Sequence, residues 1–134
     1  MKTNKILAAG ALLAAIGFGL DAFGAHALKK ILDSQSLDVF KTATKYHQIH
    51  AISLVLLGVL MHQHAHLQTE IRRIAQFFLV GILLFSGFLY VISFQKIYNF
   101  SVGILGLVTP VGGLFFIGGW LYLAYIFMKK TPQK

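Results

Sequence analysis

The side chains of this chain that can do chemistry lie inside long apolar runs or at their ends. Asp21 stands between the apolar runs 6–20 and 22–28, in a chain with only four acidic residues. A carboxylate within a membrane is costly, faces other protein groups and often marks a path for ions or protons. The plainer interpretation is a protonated carboxyl group that holds two helices together by a hydrogen bond.

Histidines and tyrosines follow the same pattern. His26 ends the first apolar run, His50 lies near the start of the second, and Tyr46 precedes His50 by one helical turn. If successive runs cross a membrane in opposite directions, these ends meet at one face. We therefore expect one polar cluster in one half of the protein, made of Asp21, His26, Tyr46, His50, Ser86, Tyr90 and Thr109. Each member has a structural alternative, since tyrosines are common at membrane interfaces and histidines there can simply join helices.

The composition is that of an integral membrane protein. Hydrophobic residues make up 57% of the chain and charged residues 12%, with a mean hydropathy of +0.72. A helix needs about 20 apolar residues to cross a hydrocarbon core of about 30 Å, and four runs qualify: 6–28, 46–67, 74–94 and 102–128. Open strands would leave unpaired backbone groups in lipid, so each span is helical. The sequence predicts an all-α fold, a single transmembrane domain over 1–134 arranged as a four-helix bundle.

The connection 29–45 is longer than a turn. Ser36 can cap a helix that has Asp38 in its first turn, where the helix dipole favours an anion. We therefore expect a short interfacial helix between spans one and two.

The first span also has features of a secretory signal peptide. Lys2 and Lys5 precede an apolar core, and 25–27 has the small-x-small form of a cleavage site. The apolar stretch is long for a signal core, and its polar residues continue the pattern of the later helices. We therefore expect it to be retained as the first span.

Small residues recur on one face of the first span, at alternating steps of four and three: Gly10, Ala14, Gly17, Asp21 and Gly24. Such a seam lets two helices approach closely where no hydrophobic effect drives their association. In the fourth span, Pro110 removes a helical hydrogen bond and is followed by Gly112 and Gly113. A kink or a short unwound turn is predicted there.

Charge and cysteine content restrict the partners. The net charge is +8, but the basic residues flank the apolar runs, so we expect a lipid bilayer and no nucleic acid as partner. Seven basic residues lie on the face that holds both termini and five on the other, which favours cytoplasmic termini. The absence of cysteine excludes thiol chemistry. The short tract that contains His62, His64 and His66 has no acid before Glu70, so no metal site is predicted.

Four stretches together resemble a known family. They are 21–26, 46–51, 84–90 and 109–113, the last followed by Gly119-Trp120. In this order and spacing they resemble, over nearly the whole chain, the domain of unknown function 423 family, also called uncharacterised protein family 0382. The resemblance implies a multi-pass protein of the bacterial inner membrane and brings no established activity. The family pattern has glycine in place of Asp21 and usually serine in place of Phe88, which shifts weight from Asp21 to the other cluster residues.

These observations favour a non-enzymatic membrane protein whose polar cluster binds a lipid, a quinone or a partner helix. No nucleophile and base, and no pair of carboxylates, has catalytic spacing, so no catalytic residue is predicted and the cofactor stays unassigned. One alternative is a redox protein with a bis-histidine haem between His26 and His50. Another is a proton or ion path that uses Asp21, which needs a homo-oligomer or a partner membrane protein because four spans are few for transport.

Overall fold

The computed structural model describes residues 3–129, and this part of the chain is helical almost throughout. The α-helices are α1 (Thr3–His26), α2 (Ser34–Gln63), α3 (Gln68–Gly81), α4 (Phe88–Ser93), α5 (Gln95–Tyr98) and α6 (Leu105–Lys129). Two 3-10 turns connect them at Leu28–Lys30 and Ala65–Leu67, and a π-helical turn at Ile82–Gly87 joins α3 to α4 without a break. The predicted all-α class is confirmed.

Three helical stretches are long and apolar enough to cross a membrane: Asn4–Lys30, Ala65–Ser93 and Leu105–Lys129. They correspond to the first, third and fourth predicted spans. Helix α2 has 30 residues but a lower hydropathy, because Thr44, His47 and His50 lie in its middle. All three of these side chains are at least 96% buried, so its polar groups face the other helices.

A separate interfacial helix between the first two spans is not present, and that prediction is wrong. Helix α2 runs without interruption from Ser34 to Gln63. It begins earlier than predicted because Asp33 is its cap, and the Ser36 backbone N–H donates to Asp33 Oδ1 at 2.8 Å. Ser36 itself is buried in the first turn.

The predicted unwound turn near Pro110 is also wrong. Helix α6 continues through Pro110 to Lys129. The proline lies close to the start of the helix and removes only one backbone hydrogen bond, the one to the carbonyl of Gly106. Two residues later, Gly112 lies directly against the π-helical turn, where an added Cβ would be 2.4 Å from the Phe85 nitrogen. This close packing stabilises the helical path after the proline.

The glycines of the small-residue seam of α1 contact α2 as predicted, whereas Asp21 of the same seam is exposed. A Cβ on Gly10 would lie 2.7 Å from the Val55 nitrogen, and one on Gly24 would lie 2.8 Å from the Phe40 ring. Since Gly10 meets the later part of α2 and Gly24 the earlier part, the two helices are antiparallel. Apolar side chains of α2, α3 and α6 form the larger core, and Leu28, Leu32, Leu37 and Phe40 form a smaller one at the other end.

Candidate functional site

An aromatic groove lies between α2, the π-helical turn and α6. It encloses about 360 Å³. Two residues at its edge are exposed, Ile49 by 44% and Ile117 by 57%, so the groove opens sideways on the outer surface of the bundle. Its lining consists of Tyr46, Ile49, His50, Phe85, Gly113, Phe116, Ile117 and Trp120.

His50 is held at the wall of the groove by two hydrogen bonds. Its Nδ1 lies 2.8 Å from the carbonyl oxygen of Tyr46, and Trp120 Nε1 donates to His50 Nε2 at 3.1 Å. A carbonyl only accepts and an indole N–H only donates. His50 is therefore a neutral imidazole with its proton on Nδ1, and neither ring nitrogen is left unpaired.

Three of the five rings that line the groove are nearly parallel. The Phe116 ring stacks on His50 with a centroid distance of 3.5 Å and an angle of 10°. Tyr46 is inclined by only 14° to Phe116 and 10° to His50, at centroid distances of 6.2 and 6.4 Å. Phe85 closes one side at 4.9 Å from Tyr46, tilted by 56°. Trp120 is likewise inclined, by 58° to His50, so the common orientation belongs to Tyr46, His50 and Phe116.

A second polar group of side chains, the polar bridge, joins α1, α2 and α4. The Thr44 hydroxyl is shared between Asp21 Oδ1 at 3.2 Å and the Lys41 carbonyl at 2.9 Å. One turn further along α2, His47 Nδ1 and the Tyr90 hydroxyl are hydrogen-bonded at 3.0 Å. Asp21, Thr44, His47 and Tyr90 thus connect three helices away from the aromatic groove.

Two buried polar atoms near these sites are unpaired within residues 3–129. One is His47 Nε2, whose ring packs against Gly17. The other is Ser86 Oγ in the π-helical turn, in a residue with no exposed surface. Ser86 is therefore buried, and the structure gives its hydroxyl no partner in the described part of the chain.

The structure divides the predicted single cluster. Tyr46 and His50 line the aromatic groove, whereas Asp21 and Tyr90 belong to the polar bridge. Thr109 is buried, and its hydroxyl donates to the Leu105 carbonyl of its own helix at 3.1 Å.

His26 lies apart from His50. It is exposed at the end of α1, with its Nδ1 2.9 Å from the Ala22 carbonyl. Because Gly24 already packs on Phe40, His26 lies beside the first turns of α2. His50 is ten residues beyond Phe40, about 15 Å along that helix at 1.5 Å per residue. The expectation that the two histidines share one level is wrong.

This geometry bears on the alternative functions. The bis-histidine arrangement is not formed, since His26 and His50 are far apart and His50 Nε2 already accepts from Trp120. Asp21 is exposed near the end of α1, and the apolar core around Leu57, Met61 and Ile71 lies between it and the far end of the bundle. Within residues 3–129, no three of the histidine and carboxylate side chains come together as metal ligands.

Several residues of these sites were not among the predicted ones, among them His47, Phe116 and Trp120. His47 stands between Tyr46 and Gln48 in a polar stretch of an apolar span, which is a usable signal. Trp120 is the only tryptophan of the chain, and its position far from the ends of α6 indicates a role other than an interfacial anchor. Phe116 gives no signal, because one more phenylalanine in an apolar helix is expected to be core or lipid surface.

An ion pair lies outside both sites. Lys96 forms an ion pair with Asp33 at 2.8 Å and donates to Gln35 Oε1 at 3.0 Å. The Lys96 ammonium, followed by the Ser36 N–H, holds the pKa of Asp33 below its usual value of 3.8. No lysine or arginine among the described residues lines the aromatic groove.

The fold and the composition define a multi-pass membrane protein embedded in the lipid bilayer. A family model described as protein of unknown function (DUF423) matches residues 20–113, a range that contains every predicted site residue. The chain therefore belongs to the DUF423, or UPF0382, family of bacterial multi-pass membrane proteins.

Curated relatives extend the match to nearly the full length. A UPF0382 membrane protein of Staphylococcus saprophyticus is 36% identical over 123 residues, which cover 92% of this chain and 94% of the relative. The UPF0382 membrane protein YwdK of Bacillus subtilis is 35% identical over 129 residues, 96% and 98% of the two chains. A UPF0382 membrane protein of Haemophilus influenzae is 33% identical over 123 residues, which cover 91% of this chain and 92% of the relative. No solved structure matches the chain.

Proposed function

We propose that this protein is a non-enzymatic four-span protein of the bacterial inner membrane that binds a membrane-soluble molecule in its aromatic groove. One observation carries the proposal. The buried His50, whose two ring nitrogens are both paired, and Trp120, which donates to it, form the wall of a groove whose edge residues are exposed on the outer surface of the bundle. Such a groove is accessible from the bilayer and combines apolar walls with a few positioned polar groups, as ligand sites do.

The proposal treats α2 as a fourth span. Its 30 residues extend over about 45 Å, more than the roughly 30 Å of a hydrocarbon core. The face of α2 that other helices leave uncovered between residues 49 and 59 is apolar, with Ile49, Ile52, Leu56 and Val59 between 40% and 57% exposed. Polar groups inside and apolar groups outside are the pattern of a helix surrounded by lipid.

A binding role fits the groove better than a catalytic one. The polar side chains of its lining are Tyr46, His50 and Trp120. Both nitrogens of His50 are used in holding the wall together, so no base stands next to a nucleophile. These groups can orient a bound molecule and exclude water from it.

The test is retention of small molecules by the purified protein. We would purify it in mild detergent, record a visible absorption spectrum and identify co-purified lipophilic molecules by native mass spectrometry. Gly113→Leu places a large side chain in the groove, where a Cβ is tolerated at 3.6 Å from Phe85. Gly19→Leu is the matched control, since nothing lies within 4 Å of its Cβ. We expect at least one co-purified molecule that the Gly113→Leu variant no longer retains and that the Gly19→Leu variant retains as the natural protein does.

Equal retention by both variants, or none by the natural protein after reconstitution with an extract of its own membrane lipids, would contradict binding in the groove.

The orientation with cytoplasmic termini is part of the proposal and rests on the distribution of basic residues. The chain contains no cysteine, so single cysteines can be introduced without a background. Ser34→Cys and Gln63→Cys mark the two ends of α2. In intact cells we expect a membrane-impermeant maleimide to label the first and not the second. Labelling of both cysteines would show that α2 does not span the membrane. Labelling of Gln63→Cys alone would show that the topology is the reverse of the proposed one.

A further inference from the structure

We propose that the aromatic groove binds a planar ring that carries a carbonyl oxygen, as a quinone does. This inference rests on the proposed binding function and specifies its ligand class.

The orientation of the rings selects a flat molecule. Tyr46, His50 and Phe116 lie within 14° of parallel. His50 and Phe116 cover each other on one face, and the ring surface that the three residues leave open to the groove has one orientation. Aromatic faces gain most from another ring in an offset stack and gain less from a flexible chain. A flat ring of the ligand therefore contacts the groove over a larger area than an acyl chain does.

The free polar group of the groove selects a carbonyl. His50 and Trp120 pair with each other, and His50 Nδ1 is used by the Tyr46 carbonyl. Tyr46 lines the groove and is 38% exposed, and its hydroxyl has no hydrogen-bond partner among residues 3–129. A phenol donates well to a carbonyl oxygen. The site therefore offers one directed donor for one ligand acceptor.

The other two expected occupants fit the groove less well. A lipid headgroup is anionic or zwitterionic and is held by lysine or arginine, and neither lines the groove in the described part of the chain. A partner helix packs on small residues, but the exposed edge of the groove is formed by Ile49, Ile117 and Trp120, with Gly113 as its one glycine.

The position of the groove also suits an apolar tail. Its volume of about 360 Å³ is at the small end of the range for ligand sites, enough for a substituted ring and not for a long chain. The exposed edge at Ile49 and Ile117 lets a chain attached to the ring continue into the bilayer. The ring is then bound by the protein and the tail by lipid.

Trp120 supplies the assay, because the single tryptophan of the chain lies in the groove. Decylubiquinone, an electron-accepting quencher of tryptophan emission, would be titrated into the full-length protein in nanodiscs of defined phospholipid. We expect quenching with a saturable component that Gly113→Leu loses and Gly19→Leu keeps. Tyr46→Phe keeps the ring and removes the donor, so we expect it to weaken saturable binding about 3- to 10-fold, the equivalent of one hydrogen bond.

Decylcyclohexane, which has the same tail without a planar ring or a carbonyl, separates the two proposals. Its retention would be measured by native mass spectrometry. If Gly113→Leu abolishes retention of decylcyclohexane while quenching by the quinone is linear and equal in all variants, the inference on the ring is overturned and groove binding stands. If neither probe distinguishes Gly113→Leu from Gly19→Leu, both proposals fail. Unchanged quinone affinity in Tyr46→Phe would overturn the assignment of the carbonyl.

Discussion

Gly10 and Gly19 of α1 provide a sharp test of how the bundle packs, because the same substitution is expected to act in opposite directions at the two positions. Gly10 faces α2, and an alanine Cβ there would lie 2.7 Å from the Val55 nitrogen and 2.9 Å from the Ala51 carbonyl oxygen. Gly19 is exposed, and nothing lies within 4 Å of its Cβ.

The magnitude follows from these contacts. The atoms that a Gly10 methyl would meet belong to the backbone and cannot rotate away, so α1 and α2 must separate by several tenths of an ångström. Overpacking of this kind costs about 1–3 kcal/mol. Alanine gains up to about 1 kcal/mol over glycine in a helix, and this gain applies equally to both positions. Gly10→Ala should therefore be less stable than Gly19→Ala by about 1–3 kcal/mol, while Gly19→Ala matches or exceeds the natural protein.

The assay is reversible unfolding in mixed detergent micelles, followed by far-ultraviolet circular dichroism, with the free energy of unfolding compared among the three proteins. A Gly10→Ala protein as stable as Gly19→Ala would refute the close contact of the seam. A loss of stability in both variants would indicate that α1 glycines serve helix flexibility rather than packing.

Two further predictions concern the polar bridge and the ion pair outside the membrane. Tyr90→Phe leaves the buried His47 Nδ1 without its partner and should lower the free energy of unfolding by about 1–3 kcal/mol. Tyr98→Phe, at a residue that is 74% exposed, is the control and should have no measurable effect. Equal stability of the two variants would show that the hydrogen bond is not formed. Because the pKa of Asp33 is held below 3.8, its ion pair with Lys96 stabilises the folded state above that value and is lost as the pH falls through the lowered pKa. A titration of the Asp33 carboxyl group by nuclear magnetic resonance should show this low midpoint, and Lys96→Met should move the midpoint back towards 3.8. A midpoint that Lys96→Met leaves unchanged would assign the shift to another cause.

The local pattern of residues was enough to predict the helices and one of their contacts. Each apolar run lies largely within helical segments, since lipid enforces hydrogen bonding within the segment. The seam of Gly10, Gly17 and Gly24 was correctly predicted as a contact face, because helical periodicity alone places its members together. The late start predicted for the helix in 29–45 came from competing local signals. Asp33 and Ser36 both resemble helix caps, and the composition of 29–45 does not show which one begins the helix.

The division into two polar sites required the tertiary structure. The sequence shows that His47 and His50 both lie in α2, but they are three residues apart and turn towards different neighbours, Tyr90 on one side and Trp120 on the other. Which neighbour each histidine meets depends on how α4 and α6 are rotated about their own axes. The π-helical turn between α3 and α4 changes the rotation of α4.

The sequence by itself determined that this is an all-helical membrane protein, which apolar runs form its helices and which face of α1 packs against another helix. Those properties depend on hydropathy and helical period, which are local. The structure alone decided that Trp120 pairs with His50, that Tyr46 and Phe116 present parallel rings, and that His26 stands apart. Those properties depend on the relative rotation and register of helices that are distant in sequence. Close contacts, such as that of Gly112 with the π-helical turn, fix this rotation and register, and no local pattern encodes them.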